Sequence, residues 1–401
     1  MKNAFLFLVL LISCSFSLSA QSVRGLYVND FVDIIGNTVA EDELLAFAQQ
    51  HGFNYLLCYN LYFIHSQKFS ITEADSAQPL ADFMRRARRD YGIQSIGAVG
   101  ETARSFERLE TYNQLYPDAA ARFDVFNLEF EFWNKNMINK YYCDTYLSEN
   151  QLPCDTAGAF TYYHQQLVQI KQQATRAGAL TEVYIGKPTL GQCKKIGAIC
   201  DRVLVHYYRS SPLYKNGNSI YNYNSYRLSA LAPAQGTLDI LPIFGAGPKF
   251  MGEWIGQNSL SAAFSIYMDG QNAWNPKTEP WKNHLNIAGA QWYRYTDLRV
   301  DLADVHITRV PPSDNQPQLA EIPTDFTVIP GYIDSQIIIP KVQSGPATLQ
   351  LLDHAGNILL QNMYDHHHSV KLNMKKIQPG VYFLSLLQES ITQHFRIEVQ
   401  R

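Results

Sequence analysis

From Val23 to about residue 300, stretches with the two-residue rhythm of a β-strand alternate with stretches that carry the rhythm of an amphipathic helix. VRGLYVND (23–30) precedes AEDELLAFAQQHG, FNYLLCYNLY (53–62) precedes PLADFMRRARRDYG, and IQSIGAVGE (93–101) precedes a helix around SFERLETYNQLY. FDVFNLEFEFWN (123–134) is followed by the long helix FTYYHQQLVQIKQQATRAGA. TEVYIGKPT (181–189), DRVLVHYYRS (201–210), LDILPIFGAG (238–247) and IAGAQWYRYTDL (287–298) complete about eight strands. A parallel α/β architecture follows, and the number and span of the units predict a (β/α)8 barrel over residues 21–305. An open doubly wound sheet competes, but no strand-to-helix turn carries its glycine fingerprint; GAVGET is too weak a match. Helix-to-strand joins are tight, as in AQQHGFNY. Strand-to-helix joins are long at 134–159 and 209–224, on the side where barrels place their chemistry.

The ends of the chain have different characters. MKNAFLFLVLLISCSFSLSA reads as a secretory signal over residues 1–20, cleaved after Ala20, and no later segment is apolar and long enough to span a bilayer. RVPPSDNQPQLAEIPTD places a linker at 306–326. Beyond it, residues 327–401 alternate apolar and polar positions between Gly- and Asn-containing turns, which predicts a small antiparallel β-sandwich domain. A net charge of −3 leaves no basic footprint for nucleic acid. The run Arg85, Arg86, Arg88, Arg89 is read as the wet face of the second helix.

With an export signal, the cysteines bear on folding. Cys143 with Cys154, and Cys193 with Cys200, are candidate disulfides, the first bracing the longest loop, and Cys58 is a buried free thiol. No Cys/His spacing suggests zinc. His366–His368 reads as a solvated turn, and no metal or cofactor is expected.

The fourth strand carries the chemistry. Phe126, Leu128, Phe130 and Phe132 fall on one face and Asn127, Glu129, Glu131 and Trp133 on the other. In a barrel the phenylalanines meet the helices and the carboxylates point inward, where burial without purpose costs several kcal/mol each. A strand with one wet face is the alternative, better suited to an antiparallel sheet. Residues two apart on a strand lie ~6.6 Å apart with side chains parallel. Two carboxylates about 4 Å apart repel by roughly 4 kcal/mol at an effective dielectric of 20. Glu129 and Glu131 are thus expected to share one proton near neutral pH, keeping an acid available for glycosidic cleavage.

Asp124, Asn127, Glu129 and Glu131 stand in the order D-x-x-N-x-E-x-E, which resembles the D-x-x-D-x-D-x-E signature of glycoside hydrolase family 18, the chitinases and endo-β-N-acetylglucosaminidases. SIGAVG (95–100) is similar to that family's S-x-G-G, HYYR (206–209) to the segment ending in its substrate-holding Tyr, and AQWYRY to the strand of its sugar-flooring Trp. The resemblance implies Glu131 as acid/base and Glu129 as the carboxylate that orients the substrate's 2-acetamido group, which itself attacks the anomeric carbon. It implies Asn127, Asp124, Tyr208 and Trp292 as substrate-binding residues. Asn127 and Glu129 each replace an Asp of the family pattern, and a carboxylate displaced by about an ångström can cost roughly a hundredfold in rate.

Three functions remain open. The first is a secreted hydrolase of N-acetylglucosamine-containing glycans working by substrate assistance. The second is a catalytically impaired, chitinase-like carbohydrate-binding protein. The third is an ordinary retaining glycosidase with its nucleophile at Glu253. Tyr207 can replace Tyr208 if the strand slips by one residue, Glu101 either reaches the site or caps a helix, and Trp133 and Trp292 are each as apt for packing. The short join after the seventh strand predicts an open cleft. GPATLQLLDHAGNIL, LNMKKIQPGVYFLSL and HFRIEVQR resemble the C-terminal sorting domain of the type IX secretion pathway. That resemblance implies the type IX machinery as a partner and passage across a Gram-negative outer membrane, ending in release or attachment at the surface.

Overall fold

A computed structural model of the protein describes residues 22–273 and 277–302, and then 305–309, 327–329, 336–339, 347–353, 357–364, 370–373, 377–378, 380–388 and 391–399. The expected signal (1–20), most of the linker (310–326) and His366–His368 lie outside the described residues.

The alternating segments close into a (β/α)8 barrel. Its strands are β1 (Val23–Val28), β2 (Tyr55–Cys58), β3 (Ser95–Gly100), β4 (Val125–Leu128), β5 (Leu180–Ile185), β6 (Arg202–Tyr207) and β7 (Leu238–Gly245). The eighth position is filled by two pieces, β8 (Leu285–Ile287) and β9 (Gly289–Tyr293). Each strand from β1 to β7 pairs in parallel with the next, and β9 closes the ring against β1 and β7.

Two apolar layers form because strand side chains alternate. Leu26, Leu56, Ile96, Phe126, Val183 and Val203 pack outward beneath the helices. Tyr27, Leu57, Val99, Val125, Tyr184 and Leu241 pack inward. The helices are set by local signals. The long helix Thr156–Ala177 starts at Asp155, whose carboxylate accepts from Ala157 N and Gly158 N at 2.9 and 2.8 Å, and stops at Gly178, which takes φ +69°.

Barrel interiors are usually filled with branched apolar side chains. This one holds an ionic layer. Glu182 is fully buried and accepts from Arg202 Nε at 2.5 Å, Tyr55 Oη at 2.9 Å and Asn127 Nδ2 at 2.8 Å. Arg202 also lies 4.7 Å from the Tyr55 ring centroid. Gly25 makes room for this layer, since a Cβ there would stand 1.6 Å from Gln291 Oε1.

Beyond the barrel lie two antiparallel sheets. One has the order β10 (Val305–Arg309), β17 (Ile391–Val399), β16 (Gly380–Gln388), β13 (Ala347–Leu352), β14 (Ile358–Tyr364). The other joins β11 (Thr327–Ile329), β12 (Gln336–Ile339) and β15 (Val370–Asn373). Alternate residues Leu349, Leu351, Leu384, Ile397 and Val399 are buried.

Three expectations change. Residues 306–309, read as the start of a linker, belong to β10 and pair with the last strand. Cys193 and Cys200 are separate buried thiols. They stand on and just beyond the helix Leu190–Gly197, and seven residues of helical rise separate Cα atoms by ~10 Å, beyond a disulfide's reach. The arginine run does more than face water: Arg86 pairs with Glu41 at 2.6 Å and Arg88 with Asp124 at 2.6 Å, tying this helix to its surroundings. Cys143 and Cys154 do form a disulfide, and Cys58 is a buried free thiol.

Candidate active site

The regular ladder of β4 ends at Leu128, paired with Gly100. Glu129 extends it by one hydrogen bond, its N donating to Gly100 O at 3.0 Å. The chain then turns. Asn134 N donates to Glu131 O at 2.8 Å, and the Asn134 side chain both caps the short helix Lys135–Met137 and donates to Glu131 Oε2 at 2.6 Å. Phe130 and Phe132 stay buried through the turn; Phe130 stacks on Tyr142 with centroids 3.9 Å apart, and Tyr142 Oη accepts from Glu131 N at 3.1 Å. The phenylalanine face therefore anchors both carboxylates at the C-terminal mouth of the barrel. The disulfide, with Cα atoms 5.1 Å apart, braces the helical segment Ile138–Leu147 that supplies Tyr142.

Glu129 sits among rings. Tyr27 Oη donates to Glu129 Oε2 at 2.7 Å, and Tyr27 packs edge-on against Tyr293 (5.0 Å) and tilted against Tyr59 (5.9 Å). Tyr208 stacks on Tyr293 at 5.3 Å and on Tyr184 at 6.4 Å. Burial among these rings pushes the Glu129 carboxyl up to about 7; the Tyr27 hydrogen bond pulls it down, and the charges of Glu131 and Glu101 push it further up. The sequence-based expectation put the neighbouring charge first, but desolvation leads. Burial also lowers His206, 4.2 Å from the Tyr208 ring, to about 4, so this imidazole is neutral at neutral pH.

The residues anticipated from sequence divide. Glu129, Glu131 and Tyr208 gather at the mouth, with Glu101, which accepts from Tyr146 Oη at 2.9 Å. Tyr207 is turned outward against Tyr267, so the Tyr208 register holds. Trp133 reaches the rim beside Tyr184 at 5.7 Å. Asn127 lies one layer deeper, held by Glu182. Asp124 stands at the opposite end of β4, where its Oδ2 accepts from Arg88 Nη2 and Ile96 N at 2.6 and 2.7 Å. Trp292 is 1% exposed and packs on Phe244 in the helix-facing layer. The register of β9 turns Gln291 and Tyr293 inward instead, so Trp292 cannot floor a sugar. Glu253 is exposed on the short helix Gly252–Ile255.

Tyr27, Tyr59, Tyr184 and Tyr293 are the residues that sequence reasoning missed. Their signal was present, since every second residue of VRGLYVND counted from Gly25 gives Tyr27. A cleft of about 640 Å³ continues from Tyr59 and Glu101 between the loops after β2 and β3 and the Tyr141–Tyr146 segment. Among the described residues no group of three or more His, Cys, Asp and Glu is arranged to hold a metal ion.

No family model matches the chain, and no curated protein matches it. Solved structures do align at low similarity. A β-glucuronidase of Bacteroides uniformis shares 9% identity over 94% of this chain and 46% of its own, with a TM-score of 0.40. GH5_18 from Streptomyces cattleya, solved in complex with GlcNAc, shares 12% identity over 68% of this chain and 71% of its own, with a TM-score of 0.45. The tryptophan synthase α subunit of Legionella pneumophila shares 10% over 65% and 88%, with a TM-score of 0.32. This chain spans less than half the length of the β-glucuronidase, with 46% of that chain covered.

Proposed function

We propose that the protein is a glycoside hydrolase acting on N-acetylglucosamine-containing glycans by a substrate-assisted, retaining mechanism. The observation that carries this reading is the Glu129 carboxyl, held near a pKa of about 7 in a pit of tyrosine rings, with Glu131 beside it on the same strand end. At neutral pH the Glu129 carboxyl therefore still carries its proton in a substantial share of molecules. The proton that Glu129 carries is handed to Glu131, which passes it to the leaving oxygen and leaves Glu129 ionised. Glu129, once ionised, orients the acetamide and steadies the positive charge that develops as its oxygen attacks the anomeric carbon. Tyr208 offers a hydroxyl donor to that acetamide, and the stacked Tyr208 and Tyr293 give a sugar ring an apolar face. Glu253 is solvent-exposed, which disfavours the two-carboxylate alternative.

A binding protein without turnover is the second reading, favoured by Asn127, which is uncharged and committed to Glu182. Hydrolysis of chitooligosaccharides and of N-glycans by the mature chain, beside Glu129→Gln and Glu131→Gln, separates the two. The enzymatic reading expects each change to reduce turnover by about a hundredfold or more. Turnover untouched by both changes overturns it, and binding with no turnover in any form supports the second reading.

We further propose that residues 327–401 act as a type IX sorting domain and residues 1–20 as the export signal. The sequence likeness and the two antiparallel sheets support this. Deletion of 327–401 is expected to hold the protein in the periplasm of a bacterium that carries the pathway. Unchanged surface delivery refutes the assignment.

A further inference from the structure

The cleft beside the carboxylates has a feature that cleavage of a neutral sugar does not require. Arg104 and Arg108 line it from the helix Ala103–Leu115. They are four residues apart, so both project from one face of that helix. Arg108 lies 5.2 Å from the ring centroid of Tyr62, an aromatic residue 59% exposed at the cleft's edge. Among the described residues neither arginine has a carboxylate within ion-pair distance, although ion pairs occupy Arg85, Arg86, Arg88 and Arg89 on the preceding helix. The cleft's own carboxylate, Glu101, is engaged by Tyr146.

The cleft adjoins the carboxylate site through Tyr59 and Glu101. Tyr59 lines the cleft and packs on Tyr27, the donor to Glu129. Glu101, also in the cleft, is close enough for its charge to act on Glu129. A sugar bound over Glu129 can thus continue along Tyr59 toward the two guanidinium groups. A guanidinium offers a planar fork of N–H donors that matches the paired oxygens of a carboxylate or a sulfate. Tyrosine rings flanking that fork suit the apolar face of the sugar that carries such a group.

Resting on the hydrolase reading above, we infer that this cleft is a subsite for an acidic sugar, its anionic oxygens held by Arg104 and Arg108. The preferred glycan then alternates or combines N-acetylglucosamine with a residue bearing a carboxylate or a sulfate ester.

The test is calorimetric binding to the full mature chain. The probes are neutral chitotetraose, a hyaluronan tetrasaccharide, which carries carboxylates, and a 6-O-sulfated chitotetraose. At least one acidic probe is expected to bind about tenfold or more tighter than the neutral one, with a preference that shrinks as salt rises. Comparison of the two acidic probes tells carboxylate from sulfate. Arg104→Gln/Arg108→Gln should bring the ratio of acidic to neutral affinity to about one, and the charge-retaining double lysine variant should keep part of it. Thermal unfolding monitors the fold of both variants. No preference in the wild type, or one that survives the double glutamine change, overturns the inference. Cleavage of neutral chitooligosaccharide that depends on Glu129, without acidic preference, sinks the subsite and leaves the hydrolase reading standing. Arginine-dependent acidic binding with no turnover of any glycan does the reverse.

Discussion

The Tyr27 hydroxyl on β1 donates to the Glu129 carboxylate on β4 at 2.7 Å, although 102 residues separate them in the chain. The bond favours the ionised form of Glu129, while the surrounding rings favour the neutral one. The two effects oppose each other at a single carboxyl. Replacing Tyr27 by Phe removes only the restraining one. Glu129 should then titrate about one unit higher, and the alkaline fall of hydrolytic rate should move up by a similar amount. Carbon-13 NMR of labelled glutamate and a pH–rate profile both report it; an unmoved or lowered value contradicts the arrangement.

Glu129 also couples stability to pH. Its folded pKa of about 7 lies above the value of an unfolded glutamate, so between those two values the native state binds the extra proton. Stability from this group is therefore full below about pH 4, is lost as pH rises through that window, and levels off above about 7. Allowing for the solvent that reaches a carboxyl at the mouth, the loss is on the order of 2 kcal/mol. Urea unfolding at pH 5 and pH 7.5 should show Glu129→Gln gaining on the wild type at the higher pH. Parallel curves for the two proteins would refute the coupling.

Neighbouring aromatics on β9 should separate fold from site. Trp292 fills the layer under the helices, and Trp292→Ala should cost about 3–5 kcal/mol. Tyr293, whose ring faces Tyr27 and Tyr208, is partly exposed, so Tyr293→Ala should cost less stability yet weaken saccharide binding more. Chemical unfolding and calorimetric titration of both variants decide the point, and the opposite ranking would mean that the register of β9 is misassigned.

Inside the barrel, Glu182→Ala leaves Arg202 charged, buried and without its carboxylate, and removes the acceptor used by Tyr55 and Asn127. A loss of about 3–5 kcal/mol is expected. Joint replacement of Glu182 and Arg202 by Leu and Met should cost less, because no lone charge remains. Denaturant midpoints that rank the pair below the single change would contradict this account.

Sequence periodicity located the barrel well because each strand carries its own two-residue alternation, a local signal that needs no partner. It also placed Glu129 and Glu131 correctly, since Phe126, Leu128, Phe130 and Phe132 leave the carboxylates only one way to point. What it could not supply was register across strands. Trp292 and Tyr293 are adjacent, and a rotation of one residue exchanges pit for packing. Asp124 and Asn127 share a strand with the carboxylates, but distance along that strand sets Asp124 at the far end and Asn127 one layer down, beside partners that arrive from β5 and the helix Ala74–Tyr91. The inward face of Tyr27 is legible in its own strand, but its meaning comes from Glu129, three strands further along in sequence order.

The pairing of β10 with β17 joins the first and last strands of one antiparallel sheet. Scission of the backbone between Arg309 and Thr327 would thus yield two fragments still held by a shared hydrogen-bonded ladder. Clipping the tail and shedding it are separate events in this molecule, and the second requires peeling Val305–Arg309 away from its mate. Folding meets the same constraint, for Val305–Arg309 finds its hydrogen-bonded mate only in Ile391–Val399, more than eighty residues further along the chain.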